Sequence, residues 1–173
     1  MEPTYRRIGD HTETFQVDFD PTVVTFDELL DFFWASHSPT GRQWSTQYAA
    51  IAFWGDEAQR AAIGASLGRV SERLGQTVTT HVRGLDHFYP AEDYHQKYYL
   101  RSDKTLMRDF GGMYPDAVDF RESTAAARVN GHVDGSGDSK TLLAEIDSYG
   151  LSAEGRAELL RRVGMPSSTG CRI

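Results

Sequence analysis

The chain has 173 residues, 39% of them apolar and 12% aromatic, a globular composition with enough length to bury a core unaided. Its 18 Lys and Arg against 25 Asp and Glu leave a net charge of −7, which argues against nucleic acid or an anionic membrane as partner. No apolar run reaches a membrane-spanning length and no secretory apolar stretch follows Met1, so a cytoplasmic protein is the expectation. The single cysteine, Cys171, permits neither an intrachain disulfide nor a multi-cysteine zinc site.

Taken in chain order, Thr14 to Asp20 (TFQVDFD) alternates Phe15, Val17 and Phe19 with polar residues, the period of a half-buried strand. Asp20-Pro21 ends it. Thr25 and Glu28 then fit a capping box, with Thr25 as N-cap. Leu29, Leu30, Phe32, Phe33 and Trp34 give the following helix a wide apolar face to about Ser36. Pro39-Thr40-Gly41 is a loop. The run from Tyr48 to Trp54 (YAAIAFW) reads as a short buried strand that Gly55 breaks.

Asp56 is the expected N-cap of a helix to about Leu74, with Ala58, Ala61, Ala62, Ala65 and Leu67 toward its inner face. Gly75 stops it. The β-branched stretch Thr77 to Val82 reads as a strand. Pro90 then opens a helix expected over 91–100. Beyond Arg101, Gly111-Gly112, Pro115, Asn130-Gly131 and the run from Gly135 to Asp138 punctuate the chain. Two further helices are expected, Ser139 to Tyr149 and Ser152 to Val163, with a frayed tail from Pro166. Strand and helix alternating three times argues α/β or α+β, with helices packed on one sheet. Residues 1–101 read as the core and 102–173 as a mainly helical C-terminal extension.

Three polar segments stand out. From Phe88 to Arg101 the sequence FYPAEDYHQKYYLR crowds tyrosines and charged groups together. On a helix Glu92, His95 and Gln96 would share one face, and Tyr94 and Tyr98 another. The residues alone fit an amphipathic helix whose tyrosines snorkel from the core. Asp93 or Glu92 with His95 also allows a metal, although the six histidines show no ligand spacing. The second segment ends in His11-Thr12-Glu13, which could be acid–base groups, although the residues alone favour solvated loop residues. The third is Ser45-Thr46-Gln47-Tyr48, polar residues at a strand entrance.

Together these segments resemble a family. PTYRR, GDHTE, DFDP, LLDFFWASHSPT, STQYAAI, DEAQRAA and FYPAEDYHQKYYLR occur in order, similar to the A-type peptide methionine sulfoxide reductases, over roughly residues 3 to 101. The form looks most like the subgroup with a C-terminal extension, some members of which use selenocysteine. The resemblance implies an α+β fold with a ferredoxin-like sandwich core, one mixed sheet carrying its helices. It implies reduction of methionine S-sulfoxide in peptides and proteins. It also implies no bound cofactor or metal, and an external thiol reductant such as thioredoxin or dithiothreitol.

By this resemblance, Tyr5 and Tyr48 hydrogen-bond the sulfoxide oxygen or its waters, and Glu13 protonates it. A carboxyl partly withdrawn from water can hold a proton near neutral pH, and fixed phenol hydroxyls stabilise the transition state. His11, Glu92, Asp93, Tyr94 and His95 are then supporting residues that order the basin. The family's active-site aspartate falls in a shortened loop, where Gln43 or Trp44 stands near its place; Trp44 is also a candidate substrate contact.

The departures are as informative. The family nucleophile lies in a GCFWG motif, one strand and one helix ahead of the PTY segment. That motif, with the phenylalanine and tryptophan that cage the substrate methyl, is absent from these residues. The chain as written is therefore expected not to turn over. A selenocysteine codon read as a stop would produce such a start. Cys171 is the one thiol that could fold back as a nucleophile; the bland alternative is an exposed tail thiol, since activation needs a helix N-terminus or a nearby cation. Three expectations follow: a reductase with an incomplete N-terminus, a non-catalytic module that binds methionine or sulfoxide peptides, or a fold remnant whose extension contacts a partner.

Overall fold

The computed structural model describes residues 11–42 and 45–165. It divides into two compact units, Met1–Pro90 and Ala91–Ile173, and mixes helix with a small parallel sheet, an α+β fold.

In the first unit, α1 (Phe26–Ala35) starts at the expected capping box: the Glu28 N–H donates to the Thr25 hydroxyl at 3.2 Å, and the Thr25 N–H donates to the Glu28 carboxylate at 2.8 Å. Strands β1 (Ile51–Trp54) and β2 (His81–Gly84) pair in parallel, from Ile51 opposite His81 to Trp54 opposite Gly84. Parallel neighbours need a crossover, and α2 (Glu57–Leu74) supplies it between an Asp56 N-cap and a left-handed Gly75 at φ 61°. Leu30, Trp34, Ala52, Ile63 and Val70 form the core. Inside it, the Trp34 indole N–H donates to the Ser66 hydroxyl at 2.6 Å.

Several expectations are corrected here. Thr14 to Asp20 forms no strand, and Phe15 and Val17 are 78% and 52% exposed. An alternating segment becomes a strand only where a neighbour completes its ladder, and none does among the described residues. β1 begins at Ile51 rather than Tyr48, because the residues before it turn: the Ala49 N–H donates to the Thr46 carbonyl at 3.3 Å. β2 begins at His81 rather than Thr77. The N–H groups of Thr79 and Thr80 go to the Pro39 carbonyl at 2.7 and 3.3 Å, not to a strand. The inner stripe of α2 is Ile63, Ser66 and Val70, while Ala58, Ala61 and Ala65 are exposed.

The second unit is helical: α3 (Tyr98–Arg101), α4 (Lys104–Met113), α5 (Ala117–Glu122), α6 (Thr124–Asp134), α7 (Ser139–Glu145) and α8 (Ala153–Arg162). Its core joins Leu100, Leu106, Phe110, Phe120, Val129, Leu142, Ile146 and Leu159. The helix expected over 91–100 is instead a 3-10 turn, Asp93–His95, then Lys97 at φ 52°, then α3. The Leu100 N–H donates to Asn130 Oδ1 at 3.1 Å, and the Gln96 carbonyl that a continuous helix would offer it accepts from Arg101 Nε at 2.8 Å.

Glycines read as breaks run inside helices, Gly111 and Gly112 in α4 and Gly131 in α6. Burial of Phe110 and Val129 outweighs a glycine penalty of about 1 kcal/mol each. The last two helices stand where expected, although α7 ends in a 3-10 turn, Ile146–Tyr149. The compact units divide after Pro90, ahead of the expected extension at 102, because Leu100 is buried in the second core. Among the described residues, no helix is long and apolar enough to cross a membrane.

Candidate functional site

The segment His11-Thr12-Glu13 is irregular chain, yet each residue is tied to another part of the first unit. The His11 ring meets Tyr89 edge-on at 5.5 Å between centroids, and Tyr89 in turn stacks on His87 at 5.9 Å. The Thr12 hydroxyl donates to the Thr46 carbonyl at 2.8 Å. The Glu13 N–H donates to the Gln47 carbonyl at 2.9 Å, and the Gln47 side-chain Nε2 donates back to Glu13 Oε1 at 2.8 Å.

This reciprocal clasp sets Glu13 beside the turn that carries Tyr48. The Tyr48 N–H donates to the Ser45 hydroxyl at 3.2 Å, which shapes that turn, and the Tyr48 side chain is 64% exposed. Glu13 is exposed as well. The withdrawal of this carboxyl from water, expected above, is therefore not supplied by the described residues. What the fold supplies is a strap: main-chain and side-chain bonds tie Glu13 to Gln47, the residue before Tyr48.

His11 and Glu13 thus lie on one strapped segment, which Gln47 ties to the turn that carries Tyr48. Tyr5, Gln43, Trp44 and Cys171 lie outside the described residues. Glu92, Asp93, Tyr94 and His95 open the second unit, where they form a local turn in which the His95 N–H donates to the Glu92 carbonyl at 2.9 Å and the Tyr94 and His95 rings lie 4.2 Å apart. Sequence reasoning passed over Gln47 and Tyr89, although both sit inside the quoted motifs; the signal was adjacency to Tyr48 and Pro90.

A second polar cluster was not legible in the sequence. It lines a cavity of about 270 Å³ in the second unit, with Arg128, His132, Asp138, Thr141 and Glu145 among its walls. Arg128 pairs with Glu145, which also accepts from the Tyr149 hydroxyl at 2.9 Å. Burial pushes the His132 ring below its ordinary value and, with the Glu145 bond, raises the Tyr149 phenol to about 12. Neutral His132 and protonated Tyr149 make this a structural tie within the helical core. Among the described residues no group of three or more His, Cys, Asp or Glu could hold a metal ion.

The family model "Peptide methionine sulfoxide reductase" matches residues 1–112. A peptide methionine sulfoxide reductase of Drosophila melanogaster is 38% identical over 156 residues, covering 87% of this chain and 61% of the relative. Peptide methionine sulfoxide reductase A5 of Oryza sativa subsp. japonica is 33% identical over 137 residues, 75% of this chain and 53% of the relative. Peptide methionine sulfoxide reductase MsrA of Haloquadratum walsbyi is 34% identical over 109 residues, 58% and 63%. The chain thus spans between about half and three fifths of the length of these curated relatives.

Proposed function

We propose that this chain, which belongs to the A-type peptide methionine sulfoxide reductase family, carries the oxygen-recognising side of an enzyme that reduces methionine S-sulfoxide in peptides and proteins. The observation that carries this reading is the clasp between Glu13 and Gln47, which fixes the carboxyl beside the Tyr48 turn. In the proposed net reaction, a sulfoxide and two thiols give a sulfide, a disulfide and water. A thiolate or selenolate attacks sulfur while the Glu13 O–H bond breaks and its proton passes to the sulfoxide oxygen. Tyr5 and Tyr48 hold that oxygen through their hydroxyls.

The reading has the nucleophile supplied by a GCFWG-type segment and regenerated by an external thiol of the thioredoxin class, without a bound cofactor. The role is repair of oxidised methionine, and some relatives in this scheme are selenoproteins. A cytoplasmic setting is proposed on the single cysteine and the acidic balance, since structural disulfides are rare in reducing compartments. The 173-residue chain alone is proposed to be inactive, because no GCFWG nucleophile occurs in it.

Dithiothreitol-driven reduction of an S-sulfoxide peptide, with the R epimer and Cys171→Ser beside it, tests this. No turnover by the chain and S-selective turnover once a GCFWG-bearing segment is joined to it are expected. Turnover abolished by Cys171→Ser would make the tail thiol the nucleophile. S-selective binding that never becomes turnover, even with that segment, would favour a non-catalytic binding module.

A further inference from the structure

We infer that Gln47 is a positioning residue, whose side-chain amide occupies one oxygen of the Glu13 carboxyl and leaves the other to carry the proton delivered to the sulfoxide. This deepens the proposed function and rests on it. Gln47 Nε2 donates to Glu13 Oε1 at 2.8 Å, and among the described residues no hydrogen bond reaches Oε2. A protonated carboxyl has one O–H and one carbonyl oxygen, and an amide N–H is accepted best by the carbonyl oxygen. Whenever the carboxyl carries a proton, the amide therefore sorts two oxygens that would otherwise be equivalent and leaves Oε2 as the one that bears the hydrogen.

The main chain makes the device separable from folding. The Glu13 N–H to Gln47 carbonyl bond and the Thr12 hydroxyl to Thr46 carbonyl bond do not involve the Gln47 side chain. Both remain when that side chain is replaced, so the strap keeps its register while the carboxyl loses its guide. Gln47 is also the neighbour of Tyr48 in the chain. One turn thereby presents the phenol and orients the acid, which couples the two groups aimed at a single oxygen. In the reaction step the Oε2–H bond breaks, its electron pair stays on the Glu13 carboxylate, and the hydrogen joins the sulfoxide oxygen.

The test is calorimetric binding of an S-sulfoxide peptide and its R epimer to the chain. The proteins are wild type, Glu13→Gln, Gln47→Met, Gln47→Asn and the double variant Glu13→Gln with Gln47→Met. Methionine keeps the length and removes the donor. Gln47→Met is expected to weaken S-epimer binding about tenfold, the worth of one hydrogen bond to a charged or polarised group. Gln47→Asn, which keeps a shorter amide, falls between. In the Glu13→Gln background the methionine change adds little, because its effect runs through Glu13. Thermal midpoints of all variants stay within a few degrees of wild type.

Equal losses from Gln47→Met in both backgrounds, or no loss in either, would overturn the positioning role while leaving the reductase reading in place. Wild type joined to a GCFWG-bearing segment that shows no preference for the S over the R epimer would overturn that reading and this inference together.

Discussion

The first unit holds its candidate chemistry on irregular chain strapped at intervals, whereas the second closes regular helices around an apolar core. In the first, His11, Thr12 and Glu13 belong to no helix or strand, and their order comes from Tyr89, Thr46 and Gln47. In the second, Leu106, Phe110, Val129 and Leu159 are fully buried, and five of its helices, α4 to α8, start at Asp or Ser caps that bond their first turns. A recognition surface must leave polar groups reachable, so its order comes from a few directional bonds. A closed helical core can rely on burial, which is non-directional and additive.

The largest effect that would sharpen this contrast is Phe110→Ala. Emptying a fully buried aromatic site costs about 3–5 kcal/mol. Trp34, Trp44 and Trp54 all fall between residues 1 and 90, so tryptophan fluorescence reports the first unit, while far-ultraviolet circular dichroism reports α1 and α2 together with the more numerous helices of the second unit. The variant is expected to lose helical signal at a lower temperature with an unchanged fluorescence midpoint. A coincident fall in both would mean that the two units unfold as one cooperative body.

Next is Asp103→Ala. This buried carboxylate caps α4 by accepting from the Thr105 and Leu106 N–H groups at 2.9 and 3.0 Å, and it accepts from Arg162 Nε at 2.9 Å. Losing the cap and the charge-assisted bond is expected to cost about 2–3 kcal/mol in chemical denaturation. Ser66→Ala is the matching change in the first unit. It leaves the buried Trp34 N–H without its acceptor and costs about 1–2 kcal/mol. That loss should appear in fluorescence.

The smallest effect is acidic and concerns the second unit. The Arg161 guanidinium, with that of Arg162, holds the Glu158 carboxyl at about 2, below its usual 4.5. A carboxyl lowered by folding stabilises above its unfolded value, and that contribution is lost as pH falls through the folded value. Helical stability is therefore expected to decline between about pH 4.5 and pH 2. Arg161→Gln should weaken that dependence, and an unchanged acid profile would remove Glu158 from the account.

How much was legible in the sequence follows the same divide. The capping box at Thr25, the Asp56 N-cap and the Gly75 stop were readable because each depends on neighbours a few residues away. The motif residues Glu13 and Tyr48 were readable by resemblance. Their joining through Gln47 was not, because that bond crosses 34 positions of chain. The helix over 91–100 failed for a similar reason, since Asn130 takes the Leu100 N–H from thirty positions away. α4 and α6 were missed because their glycines were weighed as local breakers, while the deciding term was long-range burial of Phe110 and Val129.

The ribbon from Thr14 to Phe19, which pairs with no strand among the described residues, bears on the lifetime of the molecule in a crowded solution. It keeps the alternating pattern of a strand while Phe15 and Val17 face outward, and such a segment can template addition of an identical one from another copy. That encounter is second order in concentration. The shelf life of the chain is then set by how often copies meet as well as by the free energy of either unit, and dilution lengthens it without altering a single internal contact.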